Sequence, residues 1–154
     1  MKQYTRTKLI FTGAPERLNT LTKELEDEHE QIDFHRILPL AGSMESDWGI
    51  SAEPEETDRI LYRNGTILEY SFDTLGGIPL PVFRRLAEQY PDVHMTAKYA
   101  SEDYGEDCGI YESPEGSSEA VYREPEDPLV FACEIWDVDP EEEMQERMIN
   151  FYEE

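Results

Sequence analysis

The sequence predicts an α+β domain, and three observations carry that expectation. Extended, β-rich segments and amphipathic helical segments follow one another in the order β, α, β, β, α, β. An Asn64-Gly65 dipeptide sits between two β-rich runs, and a helical stripe closes on a proline at Tyr90-Pro91.

Each element has a local reason. Lys8 to Gly13 (KLIFTG) reads as a first strand, and Ala14-Pro15 opens a helix to about Glu30 with Leu18, Leu21 and Leu25 at helical spacing. From Asp33 to Asp58 the chain holds Pro39, Gly42, Gly49 and Pro54 and no sustained period. That stretch is expected to be a long connection anchored by Phe34 and Trp48. Arg59 to Asp73 reads as a hairpin, placed at the centre of the fold, whose type I′ turn needs positive φ at Asn64 and Gly65.

After Gly76-Gly77, read as a turn rather than a phosphate cradle, Pro79 to Tyr90 sets Phe83, Leu86, Ala87 and Tyr90 on one helical face. Val93 to Tyr99 alternates Val93, Met95 and Ala97 inward with His94, Thr96 and Lys98 outward. Cys108 to Glu112 and Leu129 to Trp136 are read as two more strands, separated by the Gly/Ser/Glu-rich stretch Ser113 to Pro128. Asp139-Pro140-Glu141-Glu142 joins an N-cap, a proline at the first helical position and acids at the positive end of the dipole. A C-terminal helix with Met144, Met148 and Phe151 on one face should follow. The pattern is that of a ferredoxin-like sandwich with extra strands and a terminal helix, expected to occupy residues 1–154 as one domain.

Size and composition narrow the function. At 154 residues and 38% hydrophobic content the chain can bury a core unaided. No run approaches the roughly 18 apolar residues of a membrane helix, and Met1 to Gly13 lacks a secretory leader, so a cytoplasmic location away from membranes is expected. Cys108 and Cys133 are too few for a disulfide framework or a cysteine-based metal cluster. They are either buried thiols or a pair facing across neighbouring strands.

The net charge of -23 is the informative quantity. Tyr99 to Glu154 holds only Arg123 and Arg147 against 19 carboxylates, so most of the charge lies there. Such a field repels DNA, RNA and anionic membranes and attracts basic partners.

Order and spacing of several landmarks resemble a known family. They are Thr12-Gly13, Asp33 to Pro39 (DFHRILP), Asp47-Trp48-Gly49, Phe72-Asp73-Thr74 with Pro79 and Pro81, Tyr90-Pro91, Tyr99 with Glu102 and Gly109, and Trp136. Together they look like the YubB-type ferredoxin-like family of small plasmid- and phage-borne proteins of unknown function. The resemblance implies the fold and a mobile-element origin, and it supplies no catalytic residues.

Candidate sites follow from residue chemistry. His29, His35 and His94 fall on separate elements with no helical partner, and neither a P-loop nor G-x-S-x-G occurs, so no metal or cofactor is expected. Glu102, Asp103, Glu106 and Asp107 read as a solvated acidic loop lacking calcium-loop spacing. Trp48, Phe72, Phe83, Tyr99 and Trp136 are read as core, with a cleft as the alternative.

Two function classes remain. In the first, a non-enzymatic protein presents Glu102, Asp103, Glu106, Asp107, Glu124, Glu126, Asp127, Asp137, Asp139, Glu141, Glu142 and Glu143 as phosphate surrogates to a basic, nucleic-acid-binding protein such as a defence factor. In the second, a sheet-edge cleft near Trp48, Asp73 and His94 binds or hydrolyses a small ligand. A third account makes the acidity a matter of solubility.

Overall fold

The computed structural model describes residues 3–153. The strands are β1 (Tyr4–Thr12), β2 (Glu55–Tyr62), β3 (Ile67–Leu75), β4 (His94–Ser101), β5 (Cys108–Ser113) and β6 (Val121–Arg123). The helices are α1 (Pro15–Leu25), α2 (Phe34–Ile37), α3 (Met44–Asp47), α4 (Leu80–Gln89), α5 (Pro128–Ile135) and α6 (Pro140–Glu153). One antiparallel sheet runs in the order β2-β3-β1-β4-β5-β6. Its first four strands are the ferredoxin-like arrangement; β5 and β6 extend it past β4.

Strand alternation divides the sheet into two faces. On one, Phe11 stands opposite Leu68 and Leu9 opposite Tyr70. These residues share a core with Leu18, Leu21 and Leu25 of α1 and Val82, Phe83, Leu86 and Ala87 of α4. Val93, Met95 and Ala97 are buried there as their alternation predicts. Ala100, three residues past Ala97, points to the other face, where α5 packs through Ala132 and Ile135 with Phe131 and Trp136 beside them.

Several boundaries differ from expectation. Helix α1 stops at Leu25 because the Asp27 carboxylate captures the amides of His29 and Gln31, forming a turn in which Glu30 takes a φ of 59°. The long connection is not structureless: Asp33 caps α2, Ser43 caps α3, and β2 begins at Glu55. Its two anchors are sound, since Phe34 and Trp48 are buried.

Residues 129–135 are helical, not extended, and Trp136 is the C-cap. The Asp127 side chain accepts the Val130 amide, Pro128 occupies the first turn, and an apolar run of that length suits either state until it is capped. Within the stretch read as a connection, β6 pairs with β5. Cys133 therefore lies on a helix, and both cysteines are free thiols.

The hairpin occurs, but at one edge of the sheet and with a longer loop. Tyr62 pairs with Ile67, which leaves Arg63 to Thr66 as a four-residue loop. Arg63, Asn64 and Gly65 all have positive φ, at 54°, 57° and 82°. The Thr66 amide folds back onto the Arg63 carbonyl, and the Gly13 amide takes the Thr66 carbonyl. A β-carbon on Gly65 would lie 3.4 Å from Pro15. Gly65→Val is therefore expected to destabilise by about 1 kcal/mol or more, since a β-branched residue resists positive φ. Thermal melting checks this, and an unchanged midpoint contradicts it.

Candidate functional site

Three acidic runs, distant in sequence, are tied to one another by specific contacts. The β4–β5 loop, Glu102 to Asp107, is clamped to the start of β1, where the Glu102 amide donates to the Tyr4 carbonyl at 3.0 Å and the Glu102 carboxylate accepts the Tyr4 amide at 3.2 Å. This loop lies against the backbone of Leu129, which a β-carbon on Gly105 would meet at an ordinary contact distance of 3.6 Å; the glycine itself takes a φ of 89°. The second run, Glu124 to Asp127, leads directly into that helix start.

Helix α5 then spans only about 12 Å. Asp137, at φ 56°, reverses the chain, and α6 returns so that Arg147 donates to the Tyr104 carbonyl at 2.8 Å. The third run, Asp137 to Glu143, is thereby held beside the first. Their field is felt locally: burial and then the negative charge of Glu143 push the Tyr104 phenol and the Cys133 thiol up. Burial and then Glu124 do the same to Tyr122.

Not every one of the twelve carboxylates is on offer to a partner. Asp127 and Asp139 cap helices, the latter accepting the Glu141 amide at 2.9 Å. Glu102 holds β1, Asp137 meets Lys8 at 3.6 Å, and Glu143 meets Arg147 at 3.2 Å. Asp103, Glu106, Asp107, Glu124, Glu126, Glu141 and Glu142 are exposed. Asp139→Ala should cost about 1 kcal/mol and Asp139→Asn far less, because asparagine still caps. Urea denaturation of both variants checks this; equal losses would show that charge, not capping, is what Asp139 contributes.

The alternative cleft does not assemble. Trp48 is buried on the helix-covered face, its indole N–H donating to the Leu38 carbonyl at 2.8 Å. Asp73 faces the other side, bonded to Arg6 through both oxygens at 2.8 and 3.2 Å. His94 shares a row with Thr12 and Ile67, six residues from Asp73 along β3, or about 20 Å. Its imidazole rests on Glu112 at 2.7 Å. Phe72, Phe83 and Tyr99 are buried with the core, and Trp136 lies on the opposite face.

Cavities among the described residues lie elsewhere. One of about 300 Å³ is lined by Tyr4, Arg6, Glu55, Asp73, Glu102 and Trp136, the Trp136 ring covering the Arg6 guanidinium at 4.4 Å. A carboxylate already bonded to a stacked guanidinium is poorly placed to act as a base. Another, about 270 Å³, is lined in part by Asp27, Asp33, His35 and Glu53, with His35 bonded to Glu53. Among the described residues no three His, Cys, Asp or Glu side chains are grouped to hold a metal ion, and no helix is long and apolar enough to cross a membrane.

A family model described as a ferredoxin-like domain in Api92-like protein matches residues 47–151, more than half of the chain. No curated protein and no solved structure matches.

Proposed function

The chain belongs to the family of ferredoxin-like domains in Api92-like proteins, and from that premise we propose that it is an acidic, non-enzymatic binding protein. It occupies the basic groove of a protein that handles DNA or RNA. The observation that supports this reading is that three acidic runs are held around helix α5, the first against Leu129 through Gly105 and the third against Tyr104 through Arg147. Like charges held close cost stability, so a fold that collects them there, with only Arg123 and Arg147 as cations between Tyr99 and Glu154, is set for a cationic counterpart. An array of exposed carboxylates offers such a groove the same sign of charge as the phosphates it normally holds. A YubB-type affinity, an origin on a plasmid or phage, a cytoplasmic site of action and a defence protein as the target all belong to this proposal.

The test separates charge from fold. Glu106, Asp107, Glu141 and Glu142 are exposed and cap nothing, so replacing all four with lysine should leave much of the stability in place; lysines at 141 and 142 oppose the α6 dipole by a few tenths of a kcal/mol each. Partner capture from host cytosol, at low and at high salt, should fall steeply in the variant. Its salt dependence should flatten as ion pairs are removed, and added double-stranded DNA should displace whatever the native chain holds. A well-folded variant that captures the same protein with unchanged salt dependence would make the acidity a matter of solubility.

A further inference from the structure

Helix α6 is docked the wrong way round for a helix that only completes a core. Among the described side chains its contact with the body is polar: Glu143, only 20% exposed, pairs with Arg147, which donates to the Tyr104 carbonyl. Met144, Met148 and Ile149 are 51%, 57% and 55% exposed, and no α6 residue joins either apolar cluster among the described residues. At 100° per residue the centre of the exposed apolar set lies about 130° round the helix from the Glu143–Arg147 seam. The sequence pattern predicted Met144, Met148 and Phe151 on one face; the first two are there and face outward, and the Phe151 side chain lies outside the described residues.

The chemistry of this outward face is specific. Glu141 falls in line with Met144 and Met148, while Glu142 and Glu146 flank Ile149 on the side away from the methionines. The helix's arginine, Arg147, is turned to the body. Methionines adapt to varied apolar shapes, and carboxylates bordering them select for positive charge. A second copy of the chain, carrying -23, brings the same carboxylates to the contact, and an anionic membrane is repelled for the same reason.

We propose that α6 is a docking helix for a cationic amphipathic helix of the partner, whose apolar stripe lies on Met144, Met148 and Ile149 and whose lysines or arginines meet Glu141, Glu142 and Glu146. This rests on the reading that the partner is basic, and it adds an apolar, salt-resistant component to the recognition.

The experiment uses the full chain with methyl-labelled methionine and two synthetic peptides of about 18 residues, made of leucine and lysine alone. One has its leucines at i, i+3, i+4 and i+7; the other is a scrambled isomer. The amphipathic peptide should shift the Met144 and Met148 methyl signals and leave that of the buried Met95 in place. It should bind at least about tenfold tighter than its isomer at high salt. Replacing Met144, Met148 and Ile149 with serine should abolish that preference without lowering the melting temperature, since the three side chains are exposed.

Equal affinity for both peptides, or methionine signals that do not move, overturns the proposal. So does a concentration-dependent dimer that shields Met144. Capture that stays charge-sensitive while the two peptides bind alike removes the docking helix and leaves the acidic reading standing. Peptide preference retained beside capture that ignores charge reversal does the opposite.

Discussion

Replacing Trp48 with alanine is expected to lower the unfolding free energy by about 3–5 kcal/mol. Trp48 is fully buried, its ring meeting Phe34 edge-on at 5.6 Å and His35 at 4.8 Å. Truncation removes this packing, leaves a cavity between α2, α3 and the sheet, and strips the Leu38 carbonyl of its donor. Against a total stability of about 5–15 kcal/mol, the loss brings the domain close to unfolding at ambient temperature. Trp48→Phe keeps most of the packing and loses chiefly the hydrogen bond, so its cost should be clearly smaller. Urea denaturation of both variants decides the matter. A loss of under about 1 kcal/mol for the alanine variant would mean that residues 33–54 are a loosely attached insertion rather than part of the core.

Trp48 also illustrates what the sequence discloses and what it withholds. Its burial was legible, because a tryptophan in a polar stretch has few other uses, but the turns of helix that carry it were not. Those depend on Asp33 and Ser43 as caps within segments too short to show a period. The alternation Val93, Met95, Ala97 and the stripe Phe83, Leu86, Ala87 were legible because each element is long enough to repeat its pattern.

Residues 129–136 misled for the converse reason. A continuous apolar run has no period, and the deciding signal was the Asp127-Pro128 cap just before it. Strand β6 could not be found locally: Tyr122 lies over Gly109, where a β-carbon would come within 2.4 Å of its ring, so the strand depends on a glycine thirteen positions away. The acidic site was legible as composition. Its convergence was not, because it depends on the α5 helix and on the reversal at Asp137.

The largest pH effect should come from tyrosines rather than from the carboxylates that dominate the composition. Tyr70, Tyr90 and Tyr99 are buried, with exposures of 1%, 7% and 6%. Burial pushes all three phenols well above their ordinary range. Hydrogen bonds to carboxylates add to this for Tyr70, which donates to Glu26, and for Tyr90, which donates to Glu24. For Tyr99 the further contribution is the neighbouring Tyr122 and Asp107. Since the folded state keeps these protons after the unfolded chain has lost them near pH 10, the stability they confer is intact below about pH 10 and is lost as pH rises beyond it. Two pH units past that point, each buried tyrosine has cost roughly 2–3 kcal/mol, and the three together roughly 6–9 kcal/mol, which is comparable with the whole stability of a domain. Cooperative unfolding is therefore expected between about pH 10 and 12, with tyrosinate absorbance rising in step with the loss of circular dichroism. Tyr90→Phe removes one of the three and should flatten the decline of stability with pH by about a third. Absorbance that climbs smoothly while the circular dichroism holds through about pH 12 would show these phenols to be reachable by solvent in the folded state.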